Sequence, residues 1–294
     1  MNDAQRITRA LKGHWHGSYG LCFCPAHSNT RTPALSLSDG SDGRLLAHCH
    51  AGCDFLAILD ALRGLGLVEG KGSYTPPSAA DLARIRAAEA EQAAKQETRA
   101  LGVWREALPI HGTMAERYLR GRAVTCPLPD TLRFHPECWH PTGKRFPAMV
   151  ALIEGALRLA VHRTYLRADG SGKAPVEPAK AMLGGCAGGA VRLSGAEGPL
   201  VVAEGVETAL SLASGLLRAP ATIWAALSTS GIRGLHLPPQ PGRLTIAADG
   251  DAPGRDAAHA LATRAHGLGW QVSLLPAPER QDWNDVLQGK AVAA

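Results

Sequence analysis

Val201-Val202-Ala203-Glu204-Gly205 and Leu244-Thr245-Ile246-Ala247-Ala248-Asp249-Gly250-Asp251 are the two stretches on which the fold turns. Each is an apolar run of strand length that breaks off in acid and glycine. Apolar strands with polar groups at their C-terminal tips are where open α/β sheets place their ligands. Glu204, Asp249 and Asp251, drawn to one sheet edge, repel one another unless a cation lies between them. Hard carboxylate oxygens of this kind suit Mg²⁺ or Mn²⁺.

Outward from these stretches the pattern alternates. Strands are expected at 200–203, 221–226, 243–248 and 270–275, helices at 206–217 and 255–267, and a Ser/Thr/Gly loop at 228–231. Alternation of this kind predicts a parallel sheet with helices on both faces. Gln281-Asp282-Trp283-Asn284-Asp285 precedes a last short helix. Asp282 and Asp285 are candidates for outer metal ligands and, equally, for a helix N-cap and a surface acid. Two ions held by Glu204, Asp249, Asp251 and Asp282 would activate a 3′-hydroxyl or a water and stabilise the leaving group. Glu204 is a ligand or the base. Gly205, Gly250 and Gly254 read as points where a phosphate or metal approaches the backbone closely.

The middle of the chain is basic. Residues 101–195 carry thirteen Lys and Arg against seven Asp and Glu, while residues 196–294 carry seven against nine. A basic surface beside an acidic metal site suits a polyanionic substrate. Strands are expected at 132–134 and 148–153, with a further alternating stretch over 157–166. Arg163 lies on that stretch, and Lys173 and Lys180 follow it. Basic side chains on one sheet face would hold a template backbone or a triphosphate; ordinary solvated Lys and Arg account for each residue equally well. Residues 78–107 are rich in Ala, Glu, Gln, Lys and Arg and read as a long helix. Its apolar pattern is thin, which suggests a spacer. Thr113 and Glu116 form a capping box for a helix ending near Gly121.

The N-terminal part reads differently. Four of the seven cysteines lie in the first 53 residues, in Cys22-Phe-Cys24-Pro-Ala-His27 and His48-Cys49-His50-Ala-Gly-Cys53. Clustered Cys and His in an intracellular chain point to metal rather than to disulfides. Two strands, at 34–37 and 44–48, joined by a turn at 39–43, would complete a zinc-ribbon layout. The expected tetrahedral, closed, structural Zn²⁺ site is Cys24, His27, Cys49 and Cys53. Cys22, His48 and His50 compete for it; Cys22, two residues from Cys24, is expected to face the other way. Short helices are expected at 3–12 and from Asp54 to Arg63, the second capped by Asp54.

The chain has 294 residues, 45% of them hydrophobic, and no apolar run long enough to span a membrane. With no signal-peptide core at the N-terminus, a cytoplasmic location is expected. The expected organisation is a zinc-ribbon domain at 1–70, a linker and helix at 71–107, a basic α+β part at 108–195, and a Rossmann-like parallel sheet at 196–294.

Glu204-Gly205 followed by Asp249-Gly250-Asp251-Ala-Pro-Gly254 resembles the Toprim domain of bacterial-type primases, topoisomerases and OLD-type nucleases. Cys24-Pro-Ala-His27 with Cys49 and Cys53 resembles the zinc-binding domain of bacterial and phage primases. The two in this order, with a basic middle, are similar to Toprim-class primases borne by phages and plasmids. The resemblance covers nearly the whole chain. It implies a DNA primase that makes short RNA primers on single-stranded DNA from ribonucleoside triphosphates by two-metal nucleotidyl transfer. It implies a structural Zn²⁺, catalytic Mg²⁺ or Mn²⁺ at Glu204, Asp249 and Asp251, and Arg163 and Lys180 near template and nucleotide. The family's usual acid four residues after the Glu is Thr208 here, with Glu207 one earlier, and the second zinc pair has three intervening residues where relatives commonly have two. No GxxxxGK[ST] motif occurs, so a replicative helicase would be a separate partner. The rivals are a Toprim nuclease using the same acids with water, and a non-catalytic single-stranded-DNA-binding protein. A topoisomerase is disfavoured, since Tyr19, Tyr74, Tyr118 and Tyr165 all lie outside the context a nucleophilic Tyr needs.

Overall fold

The computed structural model describes residues 3–28, 33–40, 44–68 and 79–293. The expected turn at 39–43 lies largely outside the described residues, and the linker at 70–77 lies wholly outside them. The chain divides into two compact units, Met1–Ser78 and Ala79–Ala294.

In the first unit, α1 (Asp3–Ala10) precedes β1 (His14–Trp15), β2 (Gly20–Cys22), β3 (Leu35–Asp39) and β4 (Leu45–Cys49). These strands form one antiparallel sheet in sequential order. Period-two alternation turns Leu35 and Leu37 inward, where they pack with Ala4 and Ile7 of α1. Helix α2 (Phe55–Gly64) adds Ile58 and Leu62 to the same core. Asp54 caps it as expected, its carboxylate accepting from the Ala57 N–H at 2.9 Å.

The second unit starts with α3 (Ala79–Glu106), then β5 (Leu108–Pro109), α4 (Met114–Gly121), β6 (Leu132–Trp139), β7 (Arg145–Ile153), β8 (Ala160–Tyr165) and β9 (Lys180–Gly184). Strands β5 to β9 form an antiparallel sheet in sequential order. Helix α3 is more than a spacer. Its last turns cover one sheet face, where Ala100 and Ala107 pack on Val150 and Val161, with Val103 and Trp104 beside them. In the capping box before α4, the Glu116 carboxylate accepts from the Gly112 N–H at 2.7 Å, while the Thr113 hydroxyl makes no cap bond. Every residue of β8 is buried, so the sheet is covered on both faces.

The chain continues through β10 (Val191–Gly195), β11 (Leu200–Ala203), α5 (Val206–Ser211), β12 (Thr222–Ala225), α6 (Thr229–Gly234), β13 (Arg243–Ala247), α7 (Ala252–Gly267), β14 (Gln271–Leu274) and α8 (Trp283–Ala293). The sheet order is β10-β12-β11-β13-β14, parallel except for β10. Central β11 is buried at all four positions, as a strand covered on both faces must be. Val201 and Ala203 pack toward Ala209 and Leu210 of α5; Leu200 and Val202 pack toward Ile232 of α6 and Leu261 of α7. Two local expectations change. The loop expected at 228–231 is the start of α6, because the Ser228 hydroxyl accepts from the Gly231 N–H at 2.9 Å and caps it. The helix expected to run to 217 leaves α geometry after Ser211, in a π turn whose Gly215 has φ +101°. The core of this sheet is continuous with that of the antiparallel one: Leu132, Phe134, Met149 and Ile153 join Val201, Val206 and Leu210.

Candidate functional site

Cys24, His27, Cys49 and Cys53 come together in the first unit, with one donor atom of each lying within 4.8 Å of all the others. The His27 Nδ1 is 3.1 Å from Cys53 Sγ and 3.8 Å from Cys49 Sγ. Three soft sulfurs and one imidazole nitrogen at these separations are a donor set that fits a tetrahedral ion. Cys22 stays outside it, its thiol donating to the Leu35 carbonyl at 3.5 Å. Strand alternation is not the reason, since residues two apart on a strand share a face. Strand β2 ends at Cys22, and the chain turns before Cys24. Burial, foremost, pushes the Cys24 thiol up to about 11, so an ion binding there must displace its proton. His48 and His50 lie exposed, ring against ring.

At the parallel sheet, Ala203 pairs with Ala247, so the tips of β11 and β13 are level. Glu204 follows the first directly, and Asp249 stands two residues beyond the second. Both are half-buried. Glu204 is raised by burial and then by Asp251. Asp249 is raised to about 7 by burial, then by Glu204, Asp282 and Asp251. One Asp249 oxygen, Oδ1, is buried and accepts no hydrogen bond. An orphaned carboxylate oxygen on a residue in the field of further acids fits a hard divalent cation.

Asp251 and Asp282 have structural duties as well. The Asp251 Oδ1 accepts from the Gly254 N–H at 2.8 Å and caps α7. The Asp282 Oδ1 accepts from the N–H groups of Asn284 at 2.7 Å and Asp285 at 2.8 Å. In return, the Asp285 carboxylate accepts from the Asp282 N–H at 3.1 Å. One oxygen of each acid is thereby held at the start of a helix. Among the described residues, only the Cys24 group gathers its donors closely enough to be recognised as a set for one ion; the acids stand farther apart. Nor do two glycines leave the space expected of them. A Cβ on Gly250 would collide with the Pro278 carbonyl, and one on Gly254 would lie 2.8 Å from Asp251 Oδ1. The room is taken by the protein itself: the 278–281 segment closes over Gly250 with Gly250 N–H donating to Gln281 O at 2.8 Å, which brings Asp282 within the field of Asp249.

Beside the acids lies a group centred on Glu207. This residue is 3% exposed. Its Oε1 accepts from the Tyr118 hydroxyl at 2.8 Å and faces the Lys173 ammonium at 3.6 Å; its Oε2 accepts from Lys180 at 3.1 Å. Despite full burial, the two ammonium groups hold its carboxyl well below the usual range, Lys180 foremost. Lys180 also favours ionisation of Glu204 and Asp249. His162, buried nearby, is lowered to about 4 by burial and then by Lys180.

The expectation that Arg163, Lys173 and Lys180 share a basic face is not met. Lys180 pairs with Thr164 across β8 and β9, whereas Arg163 pairs with Ala181. Paired residues point to one side, so Arg163 and Lys180 point to opposite sides. Arg163 is buried; its guanidinium donates to the Trp139 carbonyl at 2.8 Å and the Met182 carbonyl at 3.3 Å. It is a structural arginine, not a free phosphate contact. Sequence reading noticed Glu207 only as a misplaced acid and passed over Tyr118 and His162. The available signal was Glu207's position one helical turn from Glu204.

Residues 199–292 match the Toprim domain model, and residues 94–193 match a domain of unknown function (DUF7146). The chain therefore carries a C-terminal Toprim domain on a parallel sheet. No curated protein matches it. Among solved structures, it is similar to the zinc-binding and RNA polymerase domains of Aquifex aeolicus primase, at 16% identity and TM-score 0.39, over 98% of this chain and 80% of that one. It is also similar to a DNA primase domain from Pseudomonas aeruginosa, at 19% identity and TM-score 0.39, over 66% and 75%. A third similar structure is the RNA polymerase domain of Mycobacterium tuberculosis primase DnaG, at 16% identity and TM-score 0.39, over 69% and 81%. No helix among the described residues is long and apolar enough to cross a membrane.

Proposed function

We propose that this chain is a DNA primase that joins ribonucleotides into short primers on a single-stranded DNA template. The observation that carries the reading is the Asp249 Oδ1, buried and without a hydrogen bond, on a residue that lies in the field of Glu204, Asp251 and Asp282 at the edge of a Toprim sheet. Such a site calls for a divalent cation. Glu204, Asp249 and Asp251 would hold Mg²⁺ or Mn²⁺, with Asp282 as an outer ligand. Bound there, the metal would polarise the α-phosphate and make the primer 3′-hydroxyl more acidic.

The chain's own groups supply the rest. Lys173 and Lys180, beside the acids and still partly exposed, offer charge to a triphosphate. In each step the 3′-oxygen bonds to the α-phosphorus, the bond to pyrophosphate breaks, and the hydroxyl proton passes to a base, the role Glu204 would take where it is not a metal ligand. In the first unit, Cys24, His27, Cys49 and Cys53 would hold a structural Zn²⁺. Four protein ligands leave no open position for catalysis, so that unit's task would be to present the template.

The test is one incubation of the full chain with end-labelled single-stranded DNA, Mg²⁺ and labelled ribonucleoside triphosphates. New RNA products are expected, with the DNA intact. Shortened DNA without RNA would replace the reading with a nuclease, and neither product would reduce the chain to a DNA-binding protein.

A further inference from the structure

Of the four candidate acids, Asp282 lies farthest from a strand end. Glu204 follows β11 directly and Asp249 stands two residues beyond β13, whereas Asp282 comes eight residues after β14, in the segment that leads into α8. A side chain carried outside the sheet is placed only as well as the bonds that hold its segment.

One end of that segment is tied to Asp249. Gln281, the residue before Asp282, accepts through its carbonyl from the N–H of Gly250, the residue after Asp249, at 2.8 Å; the Arg280 N–H donates to the Gly250 carbonyl at 2.9 Å. The other end is tied through Asn284, which is 0% exposed. Its backbone N–H donates to Asp282 Oδ1 at 2.7 Å. Its side-chain amide donates to the Arg122 carbonyl at 2.9 Å, just past α4, and to the Ser211 hydroxyl at 2.8 Å, at the end of α5. The Ser211 hydroxyl donates in turn to the Glu207 carbonyl at 2.8 Å, in the first turn of the helix that follows Glu204. Asp282 is thus held between the two acidic strand tips, with one anchor reaching toward each.

These bonds require an amide. A carbonyl can only accept, so the Asn284 group that faces Arg122 is the NH₂. Ser211 has given its proton to Glu207 and accepts the second amide hydrogen. The amide oxygen accepts from the Gln288 side chain at 2.8 Å. Both hydrogens and the oxygen of this buried group are therefore used. An aspartate of the same shape would set an oxygen against the Arg122 carbonyl oxygen.

We infer that Asn284 is a positioning residue for the divalent-ion site: by its bonds to Ser211 and Arg122 it fixes where Asp282 stands relative to Glu204, and so how tightly the acids hold an ion. The inference rests on the divalent-ion site of the proposed function and not on polymerisation. Asn284 touches no ion and acts through Asp282.

The experiment measures Mn²⁺ affinity of the full chain by electron paramagnetic resonance, and its melting temperature without the ion, for wild type, N284A, S211A, D282N, the N284A/D282N double variant and L287A. Leu287 is buried on the same helix but carries no polar side-chain atom, so L287A controls for lost packing alone. N284A and D282N should each weaken Mn²⁺ binding by about tenfold or more, the usual scale for contacts that orient a ligand. The double variant should bind no more weakly than D282N, because both changes act on one group. S211A should show a smaller loss in the same direction, and L287A a lower melting temperature with wild-type affinity. Should N284A fail to fold, S211A and its double with D282N give the same comparison. Losses that add in the double variant would overturn the inference, as would wild-type affinity in D282N or in both N284A and S211A. Equal weakening in L287A at the same drop in melting temperature would leave Asn284 a structural residue only and overturn it too. A wild type that shows this coupling yet makes no primer would keep the positioning role and discard the polymerase; primer synthesis with additive losses would do the reverse. A wild type that binds no Mn²⁺ would overturn both.

Discussion

The Lys180 ammonium donates to Glu207 Oε2 at 3.1 Å, and by that bond the edge strand of the antiparallel sheet is tied to the helix that follows the first acidic strand tip of the parallel sheet. The carboxylate is hidden while both its cations reach solvent.

Glu207→Ala removes the carboxylate paired with two half-buried ammonium groups and leaves the Tyr118 hydroxyl without its acceptor. Breaking such a group from one side costs about 3 kcal/mol. Urea unfolding at neutral pH should show this loss, with Tyr118→Phe costing about 1 kcal/mol by comparison.

Asp249→Asn keeps shape and removes charge. Primer synthesis should drop by about 100-fold or more, as when a group acting directly on the reacting centre is lost. Mg²⁺ should raise the melting temperature of the wild type but not of this variant. Unchanged activity would remove Asp249 from the site.

His162 sets a pH dependence. Its folded value is about 4, against an ordinary 6.5. Between these values the unfolded chain takes up a proton that the folded one refuses. Stability is therefore unaffected by this group above pH 6.5 and falls as pH drops from 6.5 to 4. The full loss is on the order of 3 kcal/mol. Asp249, raised from 3.8 to about 7, acts in the opposite sense across the whole of this window. Unfolding of wild type and His162→Gln at pH 7.5 and pH 5 isolates the histidine: the wild type should lose more stability on acidification than the variant.

Chelation tests the thiolate site. The core of the first unit is small, and its two cysteine knuckles would share one ion. Removing metal, or replacing Cys53 by Ser, should lower that unit's melting temperature by roughly 10 °C or more. The transition of residues 79–294 should stay where it was. A chelator without effect on either would mean that no ion is held there.

Much of the fold was legible along the chain. The run at 200–203 declares a buried parallel strand because both faces are covered and no polar alternation survives. Asp54 and the Cys/His knuckles were readable because capping and chelation act over a few residues. Helix α6 was missed because a Ser/Thr/Gly stretch serves loops and N-caps alike, and only the Ser228 hydroxyl bonded to the Gly231 N–H decides between them. Asp251 and Asp282 were readable as acids near the sheet edge. Asp282 was readable as an N-cap candidate too, whereas the helix start that Asp251 holds follows from where α7 begins.

By itself the sequence determined which residues end the strands in acid and which thiols can chelate one ion, since both rest on spacing within a short segment. Tertiary structure alone decided the fate of the basic residues. Arg163 and Lys180 are separated by a long connection, and no local pattern sets the register in which their strands meet. Pairing Lys180 with Thr164 sends the lysine toward Glu207 and turns Arg163 to the opposite face. A slip of one residue would exchange them, because side chains on a strand alternate.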